Sequence, residues 1–178
     1  MTRLPALVAV ATLVIAVIAG AGGYVYVKRT GLRAQPAPGR IETRVARAIR
    51  ALAVPSDIKS RSNPVAPSDA DVQKGMEHFA RYCAACHANN GSGEKTPYGG
   101  GLFPKPPDMR ADPTQGLRDG ELFYIIENGV RFTGMPAFGT GHEDAAGEKL
   151  AWQLVLFIRH LPRITGEEIS RMEALNPL

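Results

Sequence analysis

The chain has 178 residues, enough for one ordinary domain with appendages. Its formal net charge is +4, but the basic excess lies in the first third of the chain, and acidic residues slightly outnumber basic ones over residues 69–162. The folded part therefore lacks the basic stripe with interleaved aromatics of a nucleic-acid-binding domain, so no nucleic-acid partner is expected. A glycine-rich strand-to-helix loop for phosphoryl transfer is also missing from the sequence.

The first segment is an almost unbroken apolar run from Pro5 to Val27. As a helix it would be about 34 Å long, enough to cross the hydrocarbon core of a bilayer. We therefore predict a membrane anchor over residues 1–30, with membrane lipid as its partner. A cleaved signal peptide is the alternative, with Arg3 as its charged start and a small-residue cleavage site at 19–21. Because the apolar run continues past that site, we favour retention.

Residues 31–67 are predicted to link the anchor to the rest of the chain. Glycine and proline favour irregular structure over 31–38, after which apolar residues recur at helical spacing on a short basic helix that Pro55 ends. Two interpretations of this helix stay open: packing on the following domain, which we expect, or contact with anionic lipid. Residues 56–67 are interpreted as a tether. The apolar stripe of the helix consists of Ile41, Val45, Ala48, Ile49 and Leu52.

The motif with the most specific chemistry is Cys83-Ala84-Ala85-Cys86-His87, a C-x-x-C-H. Two thiols at this spacing can each form a thioether with one haem vinyl group, and the next residue places an imidazole under the iron. We therefore predict one haem c, attached covalently through Cys83 and Cys86, with His87 as an iron ligand.

Three other roles for the two cysteines are weaker. A thioredoxin-like pair would require a βαβ setting, and the sequence around Cys83 does not alternate as strands do. A structural zinc needs four ligands, for which His78 would have to join the motif; we expect His78 to be exposed. A plain disulfide would leave His87 without a role.

Three helices are predicted around the motif. The first begins at the capping sequence Ser68-x-x-Asp71 and places Met76, Phe79 and Cys83 on one face. The second runs over 119–128, and its apolar side chains are expected to wall the haem. The last is expected to begin with Glu143 and Asp144 in its first turn and to close at Pro162, with a short polar tail of about one helical turn beyond it.

Three pieces of sequence resemble the class I c-type cytochromes, over about Ser68 to Pro162. They are Gly75-x-x-x-Phe79-x-x-x-Cys83-x-x-Cys86-His87, then Phe132-Thr133-Gly134-Met135-Pro136-Ala137-Phe138-Gly139, then the final helix with Trp152 and Phe157. The resemblance implies an all-α fold, with a small cytochrome c-like haem domain over 68–178 in which the first and last helices cross at Gly75. We expect Trp152 at the haem edge or against a neighbouring loop.

The same resemblance implies the remaining haem contacts. Met135, in the loop before the final helix, would be the sixth iron ligand opposite His87, and Met109 is its only serious competitor among the methionines. A thioether favours Fe(II), so this pair would raise the reduction potential. A carbonyl within 103–107 would accept a hydrogen bond from the other ring nitrogen of His87.

With both axial positions filled, the iron would have no open site for a substrate. The resemblance thus implies an electron carrier, not an enzyme: a membrane-tethered monohaem cytochrome on the periplasmic face of a bacterial inner membrane, between unidentified redox donor and acceptor proteins. Lys28, Arg29 and Arg33 favour the opposite orientation of the anchor by the positive-inside rule, but haem attachment on the outer face outweighs this small bias. The alternatives are a haem subunit of a larger oxidoreductase complex, a haem sensor or enzyme with an open sixth position, and a haem-free dithiol protein.

Overall fold

The computed structural model describes residues 3–31, 33–34, 37–94, 96–139 and 145–176. Its two compact units are residues 1–34 and 35–178. Within the described ranges all regular structure is helical, which confirms the predicted all-α fold. The helices are α1 (Arg3–Thr30), α2 (Arg40–Ala53), α3 (Ser56–Lys59), α4 (Asp69–Tyr82), α5 (Ala84–His87), α6 (Asp112–Gln115), α7 (Asp119–Asn128), α8 (Ala145–His160) and α9 (Gly166–Leu175), with short 3₁₀ turns at Gly99–Gly101 and Leu161–Arg163.

The first unit is the apolar helix α1. Of the helices in the described ranges, it is the one that is long and apolar enough to cross a membrane by length and composition. Its side chains are all exposed, and Lys28 and Arg29 lie in its last turn. A signal sequence near the N-terminus meets the same criteria of length and composition.

The core of the second unit is the crossing of α4 and α8. Ser68 caps α4 by accepting a hydrogen bond from the backbone N–H of Asp71, as predicted. Gly75 lies against the main chain of Gln153 and the side chain of Phe157 in α8. One turn later the rings of Phe79 and Phe157 pack with their centroids 5.2 Å apart. The predicted crossing at Gly75 is confirmed.

Helix α7 packs on the other side of α8 through aromatic stacking. The rings of Phe123 and Trp152 are nearly parallel, with centroids 4.2 Å apart. Arg159 near the end of α8 pairs with Asp119 at the start of α7, with 2.8 Å between the charged atoms. Trp152 is only 1% exposed, so its main ring contact is a core stack on a helix. The expected contact with a neighbouring loop is present, because the guanidinium of Arg61 lies over this ring, and the stack on Phe123 is a further contact.

The segment expected to be a tether is packed on this core. Ile58 of α3 lies against Gly120 at the start of α7, and Lys59 pairs with Glu121 at 3.1 Å. The guanidinium of Arg61 lies over the rings of Phe123 and Trp152, 5.1 and 5.2 Å from their centroids. Cation–π contacts and an ion pair with a largely buried carboxylate therefore hold residues that look like a polar linker in the sequence.

Helix α2 does not pack its apolar stripe on the domain, so the favoured interpretation of this helix is wrong. Ile41, Val45, Ile49 and Leu52 are all exposed. The residues of α2 that are half-buried are Thr43 and Arg50, which lie on the opposite side of the helix. Val54, directly after the helix, is buried. Arg50 lines a cavity of the domain, and this contact shows that the polar side of α2 faces the domain.

The tail beyond Pro162 is more ordered than predicted. Helix α9 is ten residues long and begins with a capping box between Thr165 and Glu168. It packs on α4 through Met172, which is fully buried. The side-chain amide of Asn176 donates a hydrogen bond to the carbonyl of Ala80 at 2.9 Å. Glu143 and Asp144 lie outside the described residues.

Candidate haem-binding site

A largely apolar cavity of about 390 Å³ lies between α5, α7 and α8. This volume is typical of pockets that hold small molecules and cofactors. All four residues predicted to contact haem line it: Cys83, Cys86, His87 and Met135. Apolar side chains from α7, α8 and the connecting loops form most of the remaining wall, among them Leu122, Ile125, Ile126, Leu154, Ile158 and Phe138.

The C-x-x-C-H motif lines this cavity as a single turn of helix. Cys83 ends α4, its backbone N–H bonded to the carbonyl of Phe79. The backbone N–H groups of Cys86 and His87 both donate to the carbonyl of Cys83, at 3.1 and 2.9 Å. The turn thus directs two thiols and one imidazole to the same cavity.

Both cysteines are half-buried free thiols. Burial, with a smaller contribution from Cys86, raises the pKa of Cys83 to about 12, and burial also raises the pKa of Cys86. A dithiol redox site requires the opposite, a thiolate stabilised by its surroundings. Among the described residues no group of three or more Cys, His, Asp or Glu side chains could hold a metal ion. His78 was expected to be exposed; it is half-buried against the ring of Tyr82, and it does not line the cavity.

His87 is buried at one side of the cavity, with 8% of its surface exposed. Burial lowers its pKa to about 4, so the imidazole is neutral at physiological pH, the form that ligates iron. Its Nδ1 is buried and has no hydrogen-bond partner within the described ranges. A carbonyl of residues 103–107 was expected to accept from His87; in the structure those of Pro106 and Pro107 lie against Gly93 instead.

The loop after the motif is folded back onto the His87 side of the cavity. The backbone N–H of Gly93 donates to the carbonyl of His87 at 2.8 Å. Two positions farther back, the carbonyl of Gly91 accepts from the N–H of Met109 at 2.8 Å. The side-chain amide of Gln115 then links the carbonyls of Met109 and Ile158. Met109 lines the cavity, but its backbone is bonded to the loop that follows His87.

Met135 enters the cavity from a different element. Its loop is bonded to the C-terminal end of α7, where Phe138 and Gly139 donate to the carbonyls of Ile126 and Glu127 at 3.0 and 2.9 Å. The carbonyl of Met135 accepts from Val130 at 3.1 Å. Gly129 has a φ of +64° and closely approaches the Met135 carbonyl, a conformation that favours glycine. A half-buried thioether is thus carried by a loop tied to α7, whereas Cys83 lies at the junction of α4 and α5, and Cys86 and His87 come from α5.

These side chains fit a covalently attached haem. Two thiols, a neutral imidazole and a thioether meet in one apolar cavity, and the two possible axial ligands come from separately anchored elements. The predicted wall of α7 is present through Leu122, Ile125 and Ile126. Phe123, predicted with them, instead faces Trp152.

Sequence reasoning missed Arg50, which lines the cavity from α2. Burial and, to a smaller extent, the charge of Arg47 lower the pKa of Arg50, while Glu121 acts in the opposite direction. The sequence does place Arg50 on the side of α2 opposite the apolar stripe, because it follows Ile41 by nine positions, which is half a turn around the helix. Which side of α2 faces the domain depends on contacts with distant residues, which the sequence pattern does not reveal.

The chain matches a known protein family. The family model described as cytochrome C oxidase, cbb3-type, subunit III, matches residues 70–158, half of the chain. The matched range includes Gly75, the C-x-x-C-H motif, Met135 and Phe157. No curated protein matches the chain.

Proposed function

The chain belongs to the c-type cytochrome family described as cytochrome c oxidase, cbb3-type, subunit III, and on this premise we propose that it is a membrane-anchored monohaem electron carrier. The family implies covalent haem c, which supplies one-electron exchange between Fe(II) and Fe(III). In this proposal Cys83 and Cys86 bind the haem covalently, and His87 and Met135 ligate its iron.

The observation that supports the proposal is that His87 and Met135 line one cavity from separately anchored elements. Two protein ligands would leave no coordination position for a substrate. The apolar wall from α7 and α8 excludes water from the ligands, and the backbone hydrogen bonds at both loops hold them in place as the charge of the iron changes. Such a site favours electron transfer over bond-making chemistry.

The location of the carrier is part of the proposal. Helix α1 would anchor it in a bacterial inner membrane, with the haem domain on the periplasmic side where haem attachment takes place in c-type cytochromes. A phosphatase that works only in the periplasm should then be active when it is fused to the C-terminus. An inactive fusion would indicate the opposite orientation of the anchor.

A second candidate function is a fixed haem subunit of a larger oxidase, favoured by the description of the family. Purification in mild detergent separates the two. A free carrier elutes alone and exchanges electrons reversibly, whereas a fixed subunit co-elutes with other oxidase subunits in constant proportion.

The experiment that tests the proposal is carbon monoxide binding to the reduced, full-length protein made with cytochrome maturation machinery. We expect a low-spin spectrum that carbon monoxide leaves unchanged, because Met135 occupies the sixth position. Met135→Ala is the matched control and is expected to bind the gas. Rapid binding by the unsubstituted protein would contradict the carrier and favour a sensor or an enzyme with an open site.

A further inference from the structure

Helix α2 turns its apolar face outward. Ile41, Val45, Ile49 and Leu52 are between 52% and 85% exposed. At about 100° per residue these four positions fall within one narrow stripe along the helix. A helix that packs only on its own domain buries such a stripe against that domain. The exposed stripe of α2 can be buried only by a surface outside the domain.

The orientation of α2 follows from its polar contacts. Arg50 lines the cavity of the haem domain, and Thr43 on the same side is half-buried. Because Arg50 lies half a turn from Ile41, the stripe points away from the domain. The exposed stripe is therefore free to meet an external surface without disturbing the contact at Arg50.

The charge of α2 indicates what that surface is. The helix carries four arginines, Arg40, Arg44, Arg47 and Arg50, and one acidic residue, Glu42. The carboxylate of Glu42 accepts a hydrogen bond from the backbone N–H of Gly39, so it serves as a helix cap. A short helix with an apolar stripe, low overall hydrophobicity and an arginine-rich polar face has the composition of helices that lie in the headgroup region of anionic membranes.

The position of α2 in the chain supports the same surface. Nine residues link Thr30, the end of α1, to Arg40, the start of α2, and such a link spans at most about 35 Å when fully extended. Lys28 and Arg29 add positive charge at the end of α1. A second copy of α2 is a poor occupant, because two such helices would bring like charges together.

We propose that α2 binds the anionic headgroup region of the membrane that α1 enters, with its apolar stripe immersed and its exposed arginines paired with lipid phosphates. This inference goes beyond the proposed function and does not depend on the haem. Because Arg50 keeps the opposite side of α2 on the domain, the bound helix would fix one orientation of the haem cavity relative to the bilayer.

The test uses the full-length, haem-loaded chain in lipid nanodiscs and two single substitutions, Val45→Cys and Ala46→Cys. These neighbours lie about 100° apart around the helix, Val45 in the stripe and Ala46 outside it. The measurement is the rate of alkylation of each introduced thiol by a water-soluble maleimide, located by peptide mass mapping. Discs of phosphatidylcholine alone are compared with discs that also contain phosphatidylglycerol.

In anionic discs we expect Val45→Cys to react at least about tenfold more slowly than Ala46→Cys, because attraction of several arginines to the anionic surface keeps the helix bound most of the time. The difference should shrink in phosphatidylcholine discs, and in anionic discs when Arg40, Arg44 and Arg47 are replaced by glutamine. Ala46→Cys corrects for the effect of the surface potential on thiol reactivity.

Three results would overturn the proposal. Equal rates at both positions in anionic discs would show that α2 stays in water. If Val45→Cys were protected to the same extent in phosphatidylcholine discs, anionic lipid would have no role in the binding of α2. Protection in detergent that grows with protein concentration would identify a second copy of the chain as the occupant.

Discussion

Gly75 of α4 packs directly on the main chain of Gln153 in α8, with only 2.7 Å between a Cβ built on the glycine and the carbonyl carbon of Gln153. The same Cβ would lie 3.0 Å from that of Phe157. This close contact thus joins α4, which Cys83 directly follows, to α8, which carries the cavity residues Leu154 and Ile158.

Gly75→Ala is expected to destabilise the domain by about 1–3 kcal/mol, the usual cost of overpacking. The direction of the change in the free energy of unfolding is informative, because replacing glycine by alanine in an exposed helix stabilises the helix by about 1 kcal/mol. Chemical denaturation measures the free energy of unfolding. Gly166→Ala is the control, because nothing lies within 4 Å of its added Cβ. A Gly75→Ala protein as stable as this control would show that the two helices are not in close contact.

Two methionines reach the cavity, and substitution separates them. Met135→Leu is expected to remove the sixth ligand and to lower the reduction potential by on the order of 100 mV, because the thioether favours Fe(II). Met109→Leu conserves volume on the His87 side and should leave the spectrum and the potential nearly unchanged. Optical redox titration measures both. Loss of the low-spin spectrum in Met109→Leu, with none in Met135→Leu, would reverse the assignment.

Arg50 places a positive charge beside the cavity. Arg50→Gln should lower the reduction potential of the haem-loaded protein by on the order of tens of millivolts, because a nearby cation favours the less positive Fe(II) state. Arg44→Gln removes the same charge from an exposed position of α2, and in detergent it should have a smaller effect. Equal shifts in the two variants would mean that Arg50 acts through net charge and not through its position.

Glu168 makes the stability of the C-terminal helix depend on pH. Burial would raise the pKa of this carboxyl, but hydrogen bonds from Thr165 and the contact with His160 outweigh it, so the pKa is lowered. A lowered pKa in the folded state gives stability that is full above the unfolded pKa and is lost as pH falls through the folded pKa.

Glu168→Gln should therefore destabilise the protein at neutral pH, by about 0.5–2 kcal/mol for loss of a capping interaction, and the difference from the unsubstituted protein should shrink on acidification. Denaturant unfolding at neutral and acidic pH measures this. Glu167→Gln removes an exposed acid from the same turn as a control. A difference that grows in acid would refute the assigned sign.

The local motifs allowed much of this site to be predicted. The C-x-x-C-H spacing is set by haem chemistry, and Gly75 four residues before Phe79 indicates a close helix crossing, so both could be located from sequence alone. The resemblance to class I c-type cytochromes favoured Met135 over Met109 as the sixth ligand. In the structure both methionines line the cavity, and they differ in the elements to which their backbones are bonded.

The missed features depend on contacts between distant residues. Arg61 looks like part of a polar tether, but its partners, Glu148 and the stacked rings of Phe123 and Trp152, lie far away in the sequence. The apolar stripe of α2 predicts burial, but a stripe does not identify the surface that covers it. Helix α9 has a readable capping box at Thr165, yet its attachment depends on Met172 meeting α4.

The most direct test of the central claim is the mass of the purified full-length chain under denaturing conditions, after expression with cytochrome maturation machinery. The account predicts a mass increased by one haem, with the label on the peptide that contains Cys83 and Cys86, and loss of stable haem attachment in the Cys83→Ala/Cys86→Ala double variant. A chain that has the mass of the bare polypeptide under the same conditions would contradict it.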